Sequence, residues 1–209
     1  MHEPVRLLVA TRNPGKLSEY EELLAGLPVE LTYLESEGIA EDVEETGSSF
    51  AENAVLKARR YALISGLLTL ADDSGLEVDA LGGEPGVHSA RYAGPGATDE
   101  DRYRLLLDRM RDVPPGERSA RFRCVIAVAE PEGETYTVDG VCEGVIAYSP
   151  EGEFGFGYDP VFYMPERGKT MAQLPPEEKN LVSHRARAAQ AIRPVLESLI
   201  GRDHVSGQG

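Results

Sequence analysis

A short apolar run, Val5 to Ala10, breaks at Thr11-Arg12-Asn13-Pro14-Gly15-Lys16 and passes straight into a helical pattern. No other feature of the chain constrains its fold as much. An apolar run of this length reads as a buried strand. After it Leu17, Tyr20, Leu23 and Leu24 recur at helical spacing, to about Ala25. A strand that turns directly into a helix is a unit of α/β proteins. Similar signals follow downstream. Ser48 or Ser49 can cap a helix to about Ser65, with Phe50, Ala54, Ala58 and Tyr61 on one face. Leu67 to Ala71 reads as a second buried strand, ending at Asp72-Asp73-Ser74-Gly75. Gly82 to Gly96 fits neither period. Thr98 caps a helix through Met110, with Tyr103, Leu106, Leu107 and Met110 on its apolar face. Ala120 to Ala129 and Thr135 to Ala147 read as long strands, an expected antiparallel pair. Gly155 to Met164 is a loop with strand character. Ser183 caps a last helix ending near Ile200, which Pro194 should kink or split. Strands and helices mix without strict alternation, which predicts an α/β fold with a mixed sheet. One domain over residues 1–202 is expected, with a frayed tail at 203–209.

Composition narrows the function. Acidic residues number 36 against 21 basic, a formal charge of −15. Such a surface repels nucleic acid, whose binding depends on neutralising phosphates. An anionic metabolite is acceptable only where local cations and a metal overcome that field. The opening residues are too short for a signal-peptide core, and no stretch approaches a membrane span. The expected compartment is therefore the cytoplasm. Cys124 and Cys142 lie among strand-like residues without the spacing of a zinc site, and reduced core residues are expected.

Four segments carry chemistry. Thr11 to Lys16 leads a strand into a helix, so backbone N–H groups and a lysine converge where a phosphate can bind. It is not a P-loop, since Ala10 and Leu17 stand where that motif needs Gly and Ser or Thr. A plain turn with an exposed lysine explains it equally well. Asp72 and Asp73, read as lying just past a buried strand, suit magnesium, which takes one or two carboxylates plus substrate phosphates. Either could instead orient or deprotonate a water, or an Asx-turn could account for the pair. Glu44 and Glu45 could complete a metal site or form a solvated loop. Phe156-Gly157-Tyr158-Asp159-Pro160 can present a ring to a base, or pack as a hydrophobic turn. Lys179 precedes Ser183-His184-Arg185, whose cations oppose the preference for acids in a helix's first turn and so point to an acceptor-rich ligand or to a solvated basic turn.

Together these segments resemble the Ham1-type nucleoside triphosphate pyrophosphatases. The resemblance runs from Val5 to the last helix. It rests on Thr11, Asn13 and Lys16, on Glu44-Glu45-Thr46-Gly47, on Phe50, Glu52-Asn53-Ala54 and Lys57-Ala58, and on Ala71 to Leu76. It continues through Gly82-Gly83-Glu84-Pro85-Gly86, Ser89-Ala90-Arg91-Tyr92, Phe156 to Pro160, Gly168-Lys169-Thr170, Glu178-Lys179 and Ser183-His184-Arg185. It implies hydrolysis of ITP, dITP and XTP to the monophosphate and pyrophosphate, magnesium, a homodimer, and a house-cleaning role in the nucleotide pool. It implies a long mixed sheet flanked by helices, as two lobes with a central cleft. By position, Thr11, Asn13 and Lys16 hold the phosphates with Ser74, and Arg12, Pro14 and Gly15 complete that loop. Asp73 is the expected catalytic carboxylate and metal contact, with Glu44 or Glu45 beside it. Phe156, Gly157, Tyr158, Asp159, Lys179, His184 and Arg185 surround the base. Three alternatives remain: a related pyrophosphatase for modified pyrimidine or methylated triphosphates, a nucleotide sensor without turnover, and a carboxylate-pair glycosidase. Adjacent aspartates disfavour the last, because they do not flank a sugar from opposite faces.

Overall fold

The fold is that of a computed structural model describing residues 4–206, with side chains described through residue 202. Its strands are β1 (Val5–Val9), β2 (Val29–Tyr33), β3 (Leu68–Val78), β4 (Ser119–Ala129), β5 (Thr135–Ile146), β6 (Phe162–Met164) and β7 (Lys169–Thr170). Its α-helices are α1 (Pro14–Leu23), α2 (Phe50–Ser65), α3 (Asp99–Arg109), α4 (Pro176–Val182) and α5 (His184–Ser206). The described strands form one seven-stranded sheet, in the order β2-β1-β3-β4-β5-β6-β7. β1 pairs in parallel with β2 and β3, whereas β6 pairs antiparallel with β5 and β7. The expected α/β fold with a mixed sheet flanked by helices is what the chain adopts. β4 and β5 are sheet neighbours joined by residues 130–134. A link that short cannot make a crossover, so this pair is antiparallel.

The chain divides into two compact units. The first comprises Met1–Asp73, Val125–Gly140 and Ala188–Gly209, and the second Ser74–Cys124 and Val141–Arg187. In the first, Leu7, Leu8 and Val9 of β1 and Leu70 of β3 are buried, as are Tyr20 and Leu24 after the first loop and Ala54, Ala58 and Tyr61 of α2. In the second, Leu76, Val78, Leu106, Met110, Phe122, Tyr158 and Phe162 belong to one apolar cluster. Cys124 and Cys142 are both buried.

Local chemistry starts α2, α3 and α5 where the sequence predicts, and α1 at Pro14, two residues before the expected start near Lys16. Asn13 caps α1 through its side chain and Pro14 fills the first turn, where its missing N–H costs nothing. Ser49 caps α2, and Thr98 with Asp101 makes a reciprocal capping box on α3. The Ser183 hydroxyl accepts from Ala186 N at 3.1 Å, capping α5. That helix is not split at Pro194 but runs on to Ser206, and residues 207–209 of the expected tail lie outside the described residues. Among the described residues no helix is long and apolar enough to cross a membrane.

Three elements were not expected. β2 reads Val-Glu-Leu-Thr-Tyr and buries only Thr32 fully, so it carries no continuous apolar run. α4 is short and opens on Pro176, and β7 is a two-residue strand. One reading is corrected: the strand does not stop before Asp72-Asp73-Ser74-Gly75 but continues through them as β3 to Val78. Charged residues survive inside it because each aspartate meets a donor from a helix.

Candidate active site

The alternation of a strand sends neighbouring side chains to opposite faces. Asp72 Oδ2 meets Lys16 Nζ of α1 at 2.8 Å. Asp73 Oδ2 instead accepts from Asn53 Nδ2 of α2 at 3.0 Å, while its Oδ1 lies 3.9 Å from Lys57 Nζ. Lys57 also meets Glu45 Oε1 at 2.5 Å. Burial raises the proton affinity of Asp73, and Glu45 adds to this, while Lys57, Asn53 and Lys16 oppose it. Burial works against the Lys57 ammonium, yet Asp72, Asp73 and Glu45 together lift its pKa above the ordinary lysine value. The first unit thus brings three carboxylates, Asp72, Asp73 and Glu45, against two ammonium groups, Lys16 and Lys57.

The loop before α1 is built differently from the expected cradle of N–H groups. Asn13 N donates to Thr11 Oγ1 at 3.2 Å, and Lys16 N donates to Asn13 Oδ1 at 3.1 Å. Pro14 has no N–H. The loop's own side chains therefore take up much of its donor capacity, and its cation is the Lys16 side chain, held by Asp72. Arg12 turns away to Asp42 Oδ1 at 2.8 Å and to the carbonyls of Ile39 and Glu41.

The two glutamates of the acidic loop differ. Glu44 is exposed, whereas Glu45 is partly buried against Lys57. Exposure alternates along residues 43–49, so that Glu44 reaches solvent while Glu45 is half-buried. Among the described residues no group of three or more His, Cys, Asp or Glu is placed to hold a metal ion, so Glu44, Glu45 and Asp73 do not form a cage. Glu45 and Asp73, which share Lys57, remain a pair of oxygen donors of the kind magnesium takes together with substrate phosphates.

The second unit gathers the other residues. Arg185, 1% exposed, donates from Nη2 to Ser74 Oγ at 2.9 Å. The Arg185 guanidinium lies 5.6 Å from the centre of the Phe156 ring, and Lys179 Nζ lies 4.6 Å from it. Lys179 Nζ also meets Asp159 Oδ2 at 2.6 Å, and the same oxygen accepts from Phe156 N at 2.9 Å. Gly155 has φ +76, and a Cβ there would stand 2.1 Å from Asp159 Oδ2. The turn that presents Phe156 therefore winds around a buried ion pair. Gly157 N donates to Asp99 Oδ2 at 2.7 Å. Tyr158 points inward: its hydroxyl donates to Ser89 O at 2.8 Å, and burial raises its pKa, so it is a core residue, not an exposed ring. His184 stacks on Phe122 with ring centres 4.7 Å apart and 17° between planes.

Residues 7–195 match the Ham1 family. The chain belongs to that family. A dITP/XTP pyrophosphatase of Geobacillus kaustophilus is 52% identical over 195 residues, spanning 93% of this chain and 96% of its own length. Another, from Geobacter sulfurreducens, is 52% identical over 204 residues, spanning 98% of both. The solved HAM1 protein of Coxiella burnetii superposes with a TM-score of 0.85 at 44% identity, covering 93% of this chain and 99% of that one. The Ham1 chain described here holds Asn53, Lys57 and Phe122 in contact with its candidate residues, although sequence reasoning gave them no role. For the first two a signal existed. Asn53 and Lys57 stand four apart on a helix, hence on one face, beside Ala54 and Ala58 that the pattern had already turned inward.

Proposed function

We propose that the chain hydrolyses the non-canonical purine nucleoside triphosphates dITP, ITP and XTP to the monophosphate and pyrophosphate, with magnesium, removing them from the nucleotide pool. The near-complete alignment at 52% identity with two proteins named dITP/XTP pyrophosphatase carries this reading. It also sets the pyrimidine pyrophosphatase, the sensor and the glycosidase behind it. The homodimer that the resemblance implies and the cytoplasmic location expected from the sequence belong to the same proposal.

In this reading Lys16 and Lys57 face the triphosphate, and Thr11, Asn13 and Gly15 shape the loop beside it. Asp73 and Glu45 hold magnesium, which when bound supplies charge neutralisation to the phosphates and to the departing pyrophosphate. Asp73 orients a water toward the α-phosphorus and accepts its proton. The new P–O bond forms as the bond between the α-phosphorus and the bridging oxygen breaks, and that oxygen leaves on pyrophosphate. Most of the acceleration comes from placement and charge, as in other phosphoryl chemistry. Phe156 offers its ring to the base, while His184 and Arg185 donate toward the base's 6-keto oxygen. Adenine presents an amino donor there, so donor would face donor. The buried Arg185, fixed by Ser74 at 2.9 Å, supports a donor that cannot withdraw cheaply.

The test is pyrophosphate release from dITP, ITP, XTP, GTP and dATP, with magnesium and with chelator. Pyrophosphate from dITP, ITP and XTP is expected, with dITP favoured over dATP by at least about a hundredfold and no release in chelator. Orthophosphate as the product would refute the reaction. Equal rates on dITP and dATP would refute the base assignment, and unchanged rates in chelator would refute the metal.

A further inference from the structure

We propose that Asn53 is the positioning residue for Asp73, and that it ties this carboxylate to the acidic loop around Gly47; the proposal rests on the hydrolytic reading above. Asn53 is 1% exposed on α2. A primary amide has one accepting end and one donating end. Gly47 N donates to Asn53 Oδ1 at 2.7 Å, and a backbone N–H cannot accept. That bond sets the sense of the amide. Nδ2 must then face Asp73, where it donates to Oδ2 at 3.0 Å. With Oδ2 engaged, rotation of the carboxylate is restricted and the position of Oδ1, 3.9 Å from Lys57 Nζ, is set with it.

The other side of the amide is equally constrained. A Cβ on Gly47 would stand 2.7 Å from Asn53 Oδ1 and 2.7 Å from Glu52 Cβ. The loop therefore approaches the amide as closely as only glycine allows. Glu45 is two residues before Gly47 and meets Lys57, one helical turn beyond Asn53. Asn53 and Lys57 thus bind the same two partners, the acidic loop and Asp73, at two neighbouring points of α2. A side chain that only filled space would need neither a fixed amide sense nor two directed bonds.

Asn53→Asp tests this with almost no change of shape. It keeps an acceptor for Gly47 N and replaces the donor facing Asp73 with a carboxylate oxygen. The expected result is a folded protein whose kcat on dITP falls roughly 10–100-fold, the usual cost of losing a residue that orients a ligating group, with KM within about threefold of wild type. In the Asp73→Asn background the same change should cost less than about twofold, because Asn53 acts through Asp73. If Asn53→Asp does not fold, Asn53→Ala is measured in the same cycle. A kcat within about twofold of wild type for the folded variant, or an equal loss in both backgrounds, overturns the proposal.

A second measurement does not depend on turnover. In a nitrogen-15 spectrum the Asn53 side-chain amide should exchange slowly and should shift in Asp73→Asn. A fast-exchanging amide that ignores Asp73→Asn overturns the tie even if the enzyme is active. A protected, responsive amide in a wild-type protein that releases no pyrophosphate sinks the hydrolytic reading instead.

Discussion

Lys179→Met removes one charge from a pair that water barely reaches. Lys179 is 4% exposed and Asp159 2%, with Nζ 2.6 Å from Oδ2. Methionine preserves most of the apolar stem, so the change is chiefly the loss of the ammonium. On a surface such a loss would cost less than about 1 kcal/mol. Here it strands a buried carboxylate, and breaking a buried pair from one side costs about 3–5 kcal/mol. In a chain of this size each kcal/mol moves Tm by roughly 2–4 °C. The expected fall in Tm is therefore roughly 6–20 °C, toward the lower end because Phe156 N still donates to Asp159 at 2.9 Å. Lys179→Met/Asp159→Asn removes both charges and should regain more than half of the loss, which a double-mutant cycle isolates. Thermal and urea unfolding followed by two probes is the assay, since a chain of two compact units need not unfold in one step. Because the Phe156 turn winds around this pair, KM for dITP should rise in the single mutant. A loss below about 1 kcal/mol, or a double mutant no more stable than the single, would refute the reasoning.

Two further outcomes follow from the same geometry. Glu45→Gln should lower magnesium-dependent turnover at least about tenfold more than Glu44→Gln, because only Glu45 turns inward to Lys57; pyrophosphate release across a magnesium titration reads the difference, and equal effects would contradict the alternation of that loop. Arg118→Met should cost at least about 3 kcal/mol in urea unfolding while leaving kcat of the folded protein unchanged, because this buried guanidinium donates to the carbonyls of Met110, Val113, Ile146 and Ala147 and lies 4.3 Å from the Tyr148 ring centre.

The candidate site was legible as chemistry before it was legible as structure, and β3 shows why. Leu68 to Ala71 is apolar and reads as strand at once, and Asp72-Asp73 reads as its end because aspartate is depleted in strands. That depletion reflects the cost of burying a carboxylate with nothing opposite, and here something stands opposite. Lys16 lies 56 positions from Asp72 in sequence, and Asn53 lies 20 from Asp73. No window short enough to show a strand's period contains those partners. Along a strand neighbours alternate faces, so the residues beside Ser74 in sequence do not announce its partner Arg185, 111 positions away. On helices the relation inverts. Asn53 and Lys57, four apart, share a face, and two polar residues on a face otherwise filled by Phe50, Ala54, Ala58 and Tyr61 are a local signal that something charged is coming to meet them. Sequence reading picked out the strand's half of the Asp73 contact, and the helix's half, though marked by its spacing, took its meaning only once folding brought the two together.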